Sequence, residues 1–370
     1  MTRRDFVHGA GLGVLALAGA GLTPARAAAR AAIRRNAPVG APLGPEEEQI
    51  LALAALAPSS HNTQPWTVRI HARRRWVVGV DPSRTLPAVD PANRELALSM
   101  GAFLENLSQA AGALGLAAEI EPRTGARDVA ELCTVRLVPS ARGDARAPDR
   151  IRSRATVRRG YASEPVRADD RRALEAPHAG STAFFPGGSR EAVWLGEAEV
   201  EAFRQQSWRD DTQAELARWI RFSDEEIERH ADGLTPASMG LGPFARFYMA
   251  HFMNWKSVMG KRFRDAGTHA TAAQVRQSGG WLVVTSRDES TPALLETGMH
   301  FERMALRLRE RMLAAQPMSQ TLEEAPWRAR IARELGLAGV PQLVLRVGYV
   351  GEYPAPVSPR RAPADFTEVH

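Results

Sequence analysis

The 370-residue chain has a single cysteine, Cys133, which excludes an intramolecular disulfide and any multi-cysteine metal centre. Cys133 lies in the apolar run at residues 132–138 and reads as a core thiol. Lysine is nearly absent too: of 48 basic residues only Lys256 and Lys261 are lysines, so the formal charge of +6 is an arginine charge scattered along the chain. No dense basic run and no zinc-finger spacing accompanies it, which argues against a nucleic-acid face. The nine histidines show no His-Glu-x-x-His spacing, no Gly-x-Gly-x-x-Gly follows a strand pattern, and no hydrolase triad is visible. Long apolar runs are missing as well. The most apolar stretch, residues 9–22, is too short for a stable membrane span.

That stretch follows Thr2-Arg3-Arg4-Asp5-Phe6-Val7 and precedes Ala25-Arg26-Ala27. Paired arginines, an apolar run and a small-residue site resemble a twin-arginine export signal over residues 1–27, cleaved after Ala27. An uncleaved anchor is the alternative. Export of a folded protein to the periplasm is compatible with a noncovalent cofactor inserted beforehand.

Residues 28–44, rich in Ala, Arg, Pro and Gly, read as a linker or arm. A helix is expected from Pro45, with Glu46, Glu47 and Glu48 at its positive end and Pro58 closing it. Alternation at residues 67–71 and 76–80 predicts a hairpin. Leu96, Met100, Phe103, Leu104 and Leu107 predict a helix over 94–114, stopped by Gly115. Strands are expected near Ala118 and at 132–138. The break at 139–149 divides a first lobe, 45–148, from a second, 149–370. The second repeats the grammar: a helix at 167–175, strands at 182–185, 281–285 and 342–347, a helix at 296–315, and a mostly helical insertion at 197–273. The fold class is α+β, mixed sheets flanked by helices in duplicate.

Three segments carry chemistry. Ala57-Pro58-Ser59-Ser60-His61-Asn62-Thr63-Gln64-Pro65-Trp66 packs hydroxyls, amides and two prolines into ten residues; a stiffened loop presents hydrogen-bond partners at low entropic cost. Backbone capping is the bland alternative, and His61 is expected to hold the loop. Arg154-Ala155-Thr156-Val157-Arg158-Arg159 sets two guanidinium groups and a hydroxyl on one side of an extended segment, able to grip a phosphate, unless it is a solvated basic strand. Near the end, Arg360 and Arg361 follow Pro359. Within the insertion, Phe244, Phe247, Tyr248, Met249, Phe252, Met253, Trp255 and Met259 are expected to be core packing, with a lid, or a membrane or quinone contact using Lys256, Lys261 and Arg262, as alternatives.

The ten-residue loop closely resembles the one with which nitroreductase-family flavoproteins contact FMN, and Arg154-x-Thr156-x-Arg158 resembles the family's phosphate grip. The resemblance runs from about Pro45 to Pro363. It implies a single FMN in a chain that imitates the family's homodimer, since the loop occurs only in the first half and the grip only in the second. Pro58, Ser59, Ser60, Asn62, Arg154, Thr156 and Arg158 would contact the cofactor. Arg360 and Arg361 would complete the phosphate site, and the turn Pro317-Met318-Ser319-Gln320 would supply a backbone donor to the flavin, implicating Met318 and Ser319. The implied activity is reduction of a nitroaromatic, quinone or similar small-molecule acceptor by a monomer. The donor is open, because nicotinamide nucleotides are cytoplasmic, and flavin binding with little turnover is the alternative function.

Overall fold

The computed structural model describes residues 43–123, 131–162, 164–175 and 181–369, all within one compact unit, Ala37–His370. The expected signal at 1–27 and nearly all of the arm at 28–44 lie outside the described residues.

Helix α1 (Pro45–Ala54) starts as its sequence dictates: proline at the first turn, three acids after it, and Glu47 reaching back to Gly44 N at 2.8 Å. Strands β1 (Trp66–Ala72) and β2 (Arg75–Val80) form the expected hairpin, Trp66 opposite Val80. Helix α2 (Arg94–Ala113) follows, and Gly115, at φ +77°, ends it where a side chain would be strained. Strands β3 (Leu116–Pro122) and β4 (Cys133–Pro139) pair antiparallel, and β4 joins β2. Cys133 is buried in this core, its thiol pushed up to about 12 by burial. Trp66 stacks on Phe103 of α2 at 5.0 Å.

The second half supplies α3 (Ala147–Ser153), α4 (Ala168–Glu175), β5 (Thr182–Pro186) and α5 (Arg190–Trp208). Helices α6 (Asp210–Trp219), α7 (Asp224–His230), α8 (Pro243–Phe252), α9 (Trp255–Met259) and α10 (Lys261–Val275) make the insertion. Then come β6 (Gly280–Ser286), α11 (Thr291–Leu308), β7 (Leu313–Pro317), α12 (Gln320–Glu323), α13 (Ala325–Glu334) and β8 (Val340–Tyr349). The second sheet runs β5-β6-β8-β7, antiparallel throughout. The architecture is mixed α+β, two sheets with helices packed on them, as expected.

Two elements differ from expectation. The helix expected over 296–315 begins earlier and ends at Leu308; Met312 turns at φ +52°, and Leu313 to Pro317 become β7. Leu, Ala and Ala favour helix locally, but pairing with β8 outweighs that preference. The turn at 317–320 therefore follows a strand, not a helix. The C-terminal strand β9 (Thr367–Val369), too short to signal itself, returns to the first sheet and runs parallel to β1, giving the order β3-β4-β2-β1-β9.

Helices α2 and α11 cross backbone to backbone. A methyl on Gly101 would lie 2.2 Å from Leu295 O, and one on Gly298 would lie 2.1 Å from Leu98 O, so glycine is required at both. Beside the crossing, Arg303 makes a forked ion pair with Glu105 at 2.8 and 2.6 Å.

Candidate functional site

The loop between α1 and β1 holds three non-glycine residues in left-handed backbone, His61, Asn62 and Gln64, at φ 50°, 55° and 50°. Such conformations cost on the order of 1–2 kcal/mol each and persist only where surrounding contacts enforce them. The enforcement is visible. Asn62 donates to Gly233 O (3.1 Å) and Pro359 O (3.2 Å), and its Oδ1 accepts from Arg360 (2.8 Å). Gln64 donates to Ala231 O (2.8 Å), accepts at its side chain from Arg361 N (2.8 Å) and at its carbonyl from Arg361 Nη1 (2.9 Å). Gly233 N donates to Asn62 O. The insertion and the C-terminal arm thus clamp the loop from behind. The two amide side chains and the two arginines 360 and 361, all buried, hold its shape; Asn62 directs its amide donors and acceptor inward.

What the loop turns the other way are Pro58, Ser59, Ser60 and His61, all half-buried. Ser59 Oγ accepts from Gln64 N at 2.9 Å, Ser60 N donates to Ser99 Oγ at 3.3 Å, and Ser60 Oγ donates to Glu95 Oε2 at 2.7 Å. Burial holds the His61 imidazole down to about 4, with Glu95 opposing and Arg158 adding to the shift. His61 is therefore neutral at pH 7, with Glu95 and Arg158 both close enough to act on its charge.

Arg158 comes from the coil after α3, where residues 154–158 are extended without joining a sheet. Its Nε donates to Ser238 O at 3.0 Å. Among the described residues no carboxylate pairs with it, and desolvation lowers its affinity for the proton. Arg346, fully buried on β8, donates to the Arg158 carbonyl at 3.1 Å and stacks on the Tyr161 ring at 3.9 Å. It too lacks a carboxylate partner among the described residues; its pKa is lowered by burial and by Arg158. Two cations without carboxylate partners among the described residues, Arg158 half-buried and Arg346 buried with its Nη donors on Gln274, Gln277, Arg158 and Gln316, give this end of the site a positive potential that suits an anion. Thr156 is half-buried, two residues along the chain from both Arg154 and Arg158.

Arg154 points elsewhere, its Nε 3.3 Å from Glu302 Oε1 on α11. Burial raises the Glu302 carboxyl to about 7, with Arg154 the leading opposing charge and Arg360 a lesser one. Asn106, in the amide orientation that satisfies its neighbours, donates to Glu302 and accepts from Ala57 N. One buried polar network thus links Arg154 to the root of the loop through Glu302.

The turn after β7 reaches the loop indirectly. Met318 is buried among Trp281, Leu322 and Ile331, and Ser319 Oγ accepts from Val344 N at 3.2 Å, so both side chains serve the second core. Behind them, Glu199 accepts from Thr321 Oγ1 at 2.5 Å and is raised by burial to about 8. Burial and the neighbouring Glu95 raise the Glu323 carboxyl well above its usual range, although Gln206 donates to it at 2.6 Å. Because Glu95 holds Ser60, the carboxyl pair Glu95 and Glu323 joins the turn to the loop.

The structure therefore gathers the loop with Arg158, Arg154, Arg360 and Arg361, and brings the 317–320 turn alongside through α12. Glu95, Glu323, Tyr161 and Arg346 were not singled out from sequence. Arg346 had a readable signal, a charge inside the otherwise apolar β8; the others are scattered and had none. An open groove of 520 Å³ lies elsewhere, between α5 and α10 over Trp281. None of the residues singled out from sequence lines it, and its walls offer no unpaired buried cation, so it is not taken as the site.

A strained loop bearing hydroxyls lies near a half-buried guanidinium that has no carboxylate partner among the described residues, chemistry that suits a polar group with an anionic end. No protein-family model matches the chain. It is similar to a protein of a Serratia species named probable NAD(P)H nitroreductase PigM, 26% identical over 337 residues, covering 85% of this chain and 91% of that one. It is also similar to the putative NAD(P)H nitroreductases Rv3131 and acg of Mycobacterium tuberculosis. These are 29% and 25% identical over 331 residues, covering 86% and 84% of this chain and 90% and 91% of theirs. A solved structure, the FMN-dependent nitroreductase NfnB of Mycobacterium smegmatis with NADPH, aligns at a TM-score of 0.40 and 17% identity over 60% of this chain and 97% of that one. Relatives named as nitroreductases thus share most of this chain's length.

Proposed function

We propose that the chain holds one FMN between the loop at residues 57–66 and the segment at 154–158, and acts as an oxidoreductase toward a nitroaromatic, quinone or similar small acceptor. The observation that carries this reading is Arg158, a half-buried guanidinium without a carboxylate among the described residues, near a loop held in strained backbone. A phosphate ester fits that group, because a dianion accepts the forked donors that no side chain occupies. The similarity to proteins named NAD(P)H nitroreductases supports the same class and makes a nicotinamide nucleotide the first donor to try.

When bound, the flavin supplies the hydride and electron chemistry. The chain binds and orients: Arg158 and Thr156 toward the phosphate with Arg154 behind them, Ser59 and Ser60 toward the ribityl chain or ring edge, and the 317–320 turn through its backbone. Arg360 and Arg361 act by holding the loop. Neutral His61 offers a hydrogen bond without a charge. In this reading lobes 45–148 and 149–370 stand for the two subunits of a homodimer, supported by the close crossing of α2 with α11, and the molecule is a monomer. Residues 1–27 would carry it, already loaded, to the periplasm.

The visible spectrum of the purified chain tests the core claim. Flavin absorbance is expected, with bleaching by NADH or NADPH; Arg158→Ala should weaken FMN binding by about tenfold or more while leaving the far-ultraviolet circular dichroism unchanged. No flavin after reconstitution refutes the reading. Bleaching by dithionite alone would favour a flavin-binding protein with little turnover. Replacing Arg3 and Arg4 with Lys should retain the protein in the cytoplasm.

A further inference from the structure

The aromatics of the insertion divide in a way the sequence did not foretell. Met249 is buried against Ala217, Ile220 and Val258, with Met239, Leu241, Met253 and Phe263 packed around them. Phe244, Phe247, Tyr248 and Phe252 on α8 are instead 82%, 55%, 50% and 65% exposed, and Trp255, opening α9, is 59% exposed. Positions 244, 247, 248 and 252 recur at helical spacing and form one stripe. Their rings touch one another rather than the core: Tyr248 to Phe252 at 5.5 Å, Phe247 to Phe252 at 6.2 Å. A contiguous exposed stripe of this kind marks an interaction surface.

The stripe lies in a stretch of sequence whose own charges are all positive. Residues 233–264 contain no Asp or Glu, and both lysines of the chain, Lys256 and Lys261, fall in this window with Arg246 and Arg262; all four are exposed. Lys256 Nζ lies 5.7 Å from the Trp255 ring centre and Lys261 Nζ 5.6 Å from that of Trp208. The nearest acid in sequence, Asp265, pairs with Lys261 at 2.6 Å. Aromatic rings with cations beside them, only Lys261 of the four being paired to a nearby acid among the described residues, match the headgroup layer of a bilayer, where rings sit at the acyl boundary and cations meet lipid phosphates. A second copy is a poorer occupant: a two-fold contact through this stripe would set the four cations against the same four cations. No helix among the described residues is long and apolar enough to cross a membrane, so the contact is one of surface binding.

We propose that α8 and α9 form a docking surface for an anionic lipid bilayer, the stripe Phe244, Phe247, Tyr248, Phe252 and Trp255 entering the interface with Arg246, Lys256, Lys261 and Arg262 on lipid phosphates. The proposal does not depend on flavin. The test is cosedimentation of the full chain with vesicles of phosphatidylcholine alone and of phosphatidylcholine mixed with phosphatidylglycerol. Binding is expected only to the mixed vesicles, weakening with salt. Lys256→Glu with Lys261→Glu, and separately Phe244→Ser with Phe252→Ser, should each reduce partitioning by roughly tenfold or more at unchanged melting temperature. Absence of binding to mixed vesicles, equal binding to both kinds, or binding insensitive to both variants overturns the proposal. So does self-association in sedimentation equilibrium that Phe244→Ser abolishes in a chain that ignores vesicles.

Discussion

Asn62 shows how one side chain can fix the shape of a loop. Its amide joins three parts of the chain, and its loss would take the side-chain donor from Gly233 O and one acceptor from Arg360, while Pro359 O keeps its bond from Arg360 Nη1. Asn62→Ala is expected to destabilise the protein by about 2–4 kcal/mol, read by denaturant titration, and to weaken flavin binding with it. Glu199 makes a different point. In the unfolded chain its carboxyl ionises near 4.5, whereas in the fold burial holds it near 8. Between those values the native state keeps a proton that the unfolded state has lost, so stability falls as pH rises through that window. Glu199→Gln should remove this dependence: melting temperatures of variant and parent converge near pH 5, and the variant is the more stable at pH 8, by upward of about 1 kcal/mol. A parent more stable at pH 8 than at pH 5, with the variant unchanged, would contradict the assignment. The loop itself was legible in sequence because its residues are contiguous. Which of them face outward was not, since Asn62 and Gln64 turn inward only because residues 231–233 and 359–361 come from far along the chain to meet them.

Among the elements, α2 and α11 depend on two glycines. Gly298→Ala would drive a methyl into the Leu98 carbonyl, and overpacking of this kind costs typically about 1–3 kcal/mol, more where backbone must move. The variant should melt lower, while alanine at Gly188, where an added Cβ meets nothing within 4 Å but φ is +81°, reports the smaller penalty of backbone strain alone. Helix α2, the hairpin and strands β5, β6 and β8 of the second sheet were readable from periodicity and stop signals. Strand β7 was not, because Leu313, Ala314 and Ala315 are good helix formers and only the partner β8 makes them a strand. The aromatics of α8 carried a core-like composition; their exposure was decided by Met249 and Val258 filling the space beneath them.

At the scale of the molecule, the C-terminal arm ties the last residues to the first sheet. Ending the chain after Ala355 removes Arg360, Arg361 and β9 and leaves Asn62 and Gln64 with only their partners at residues 231–233. The proposed outcome is a chain that still folds its second sheet but no longer retains FMN, checked by circular dichroism and flavin absorbance together; full flavin retention would show that the arm is not needed. An intact chain is expected to sediment as a monomer carrying one flavin, against two per pair for a homodimer.

By itself the sequence determined what is local: the caps and periodicity of most helices, the hairpin, the single buried thiol, and the two short segments whose chemistry suits a phosphate-bearing cofactor. Tertiary structure alone decided what those segments do. It left Arg158 without an acidic partner among the described residues while giving Arg154 to Glu302, made braces of Arg360 and Arg361, and brought Glu95 to Ser60 and Arg346 to the Arg158 carbonyl. The reason is physical: periodicity and capping act between residues a few positions apart, whereas ion pairing, desolvation and strain depend on neighbours that only the folded chain brings together.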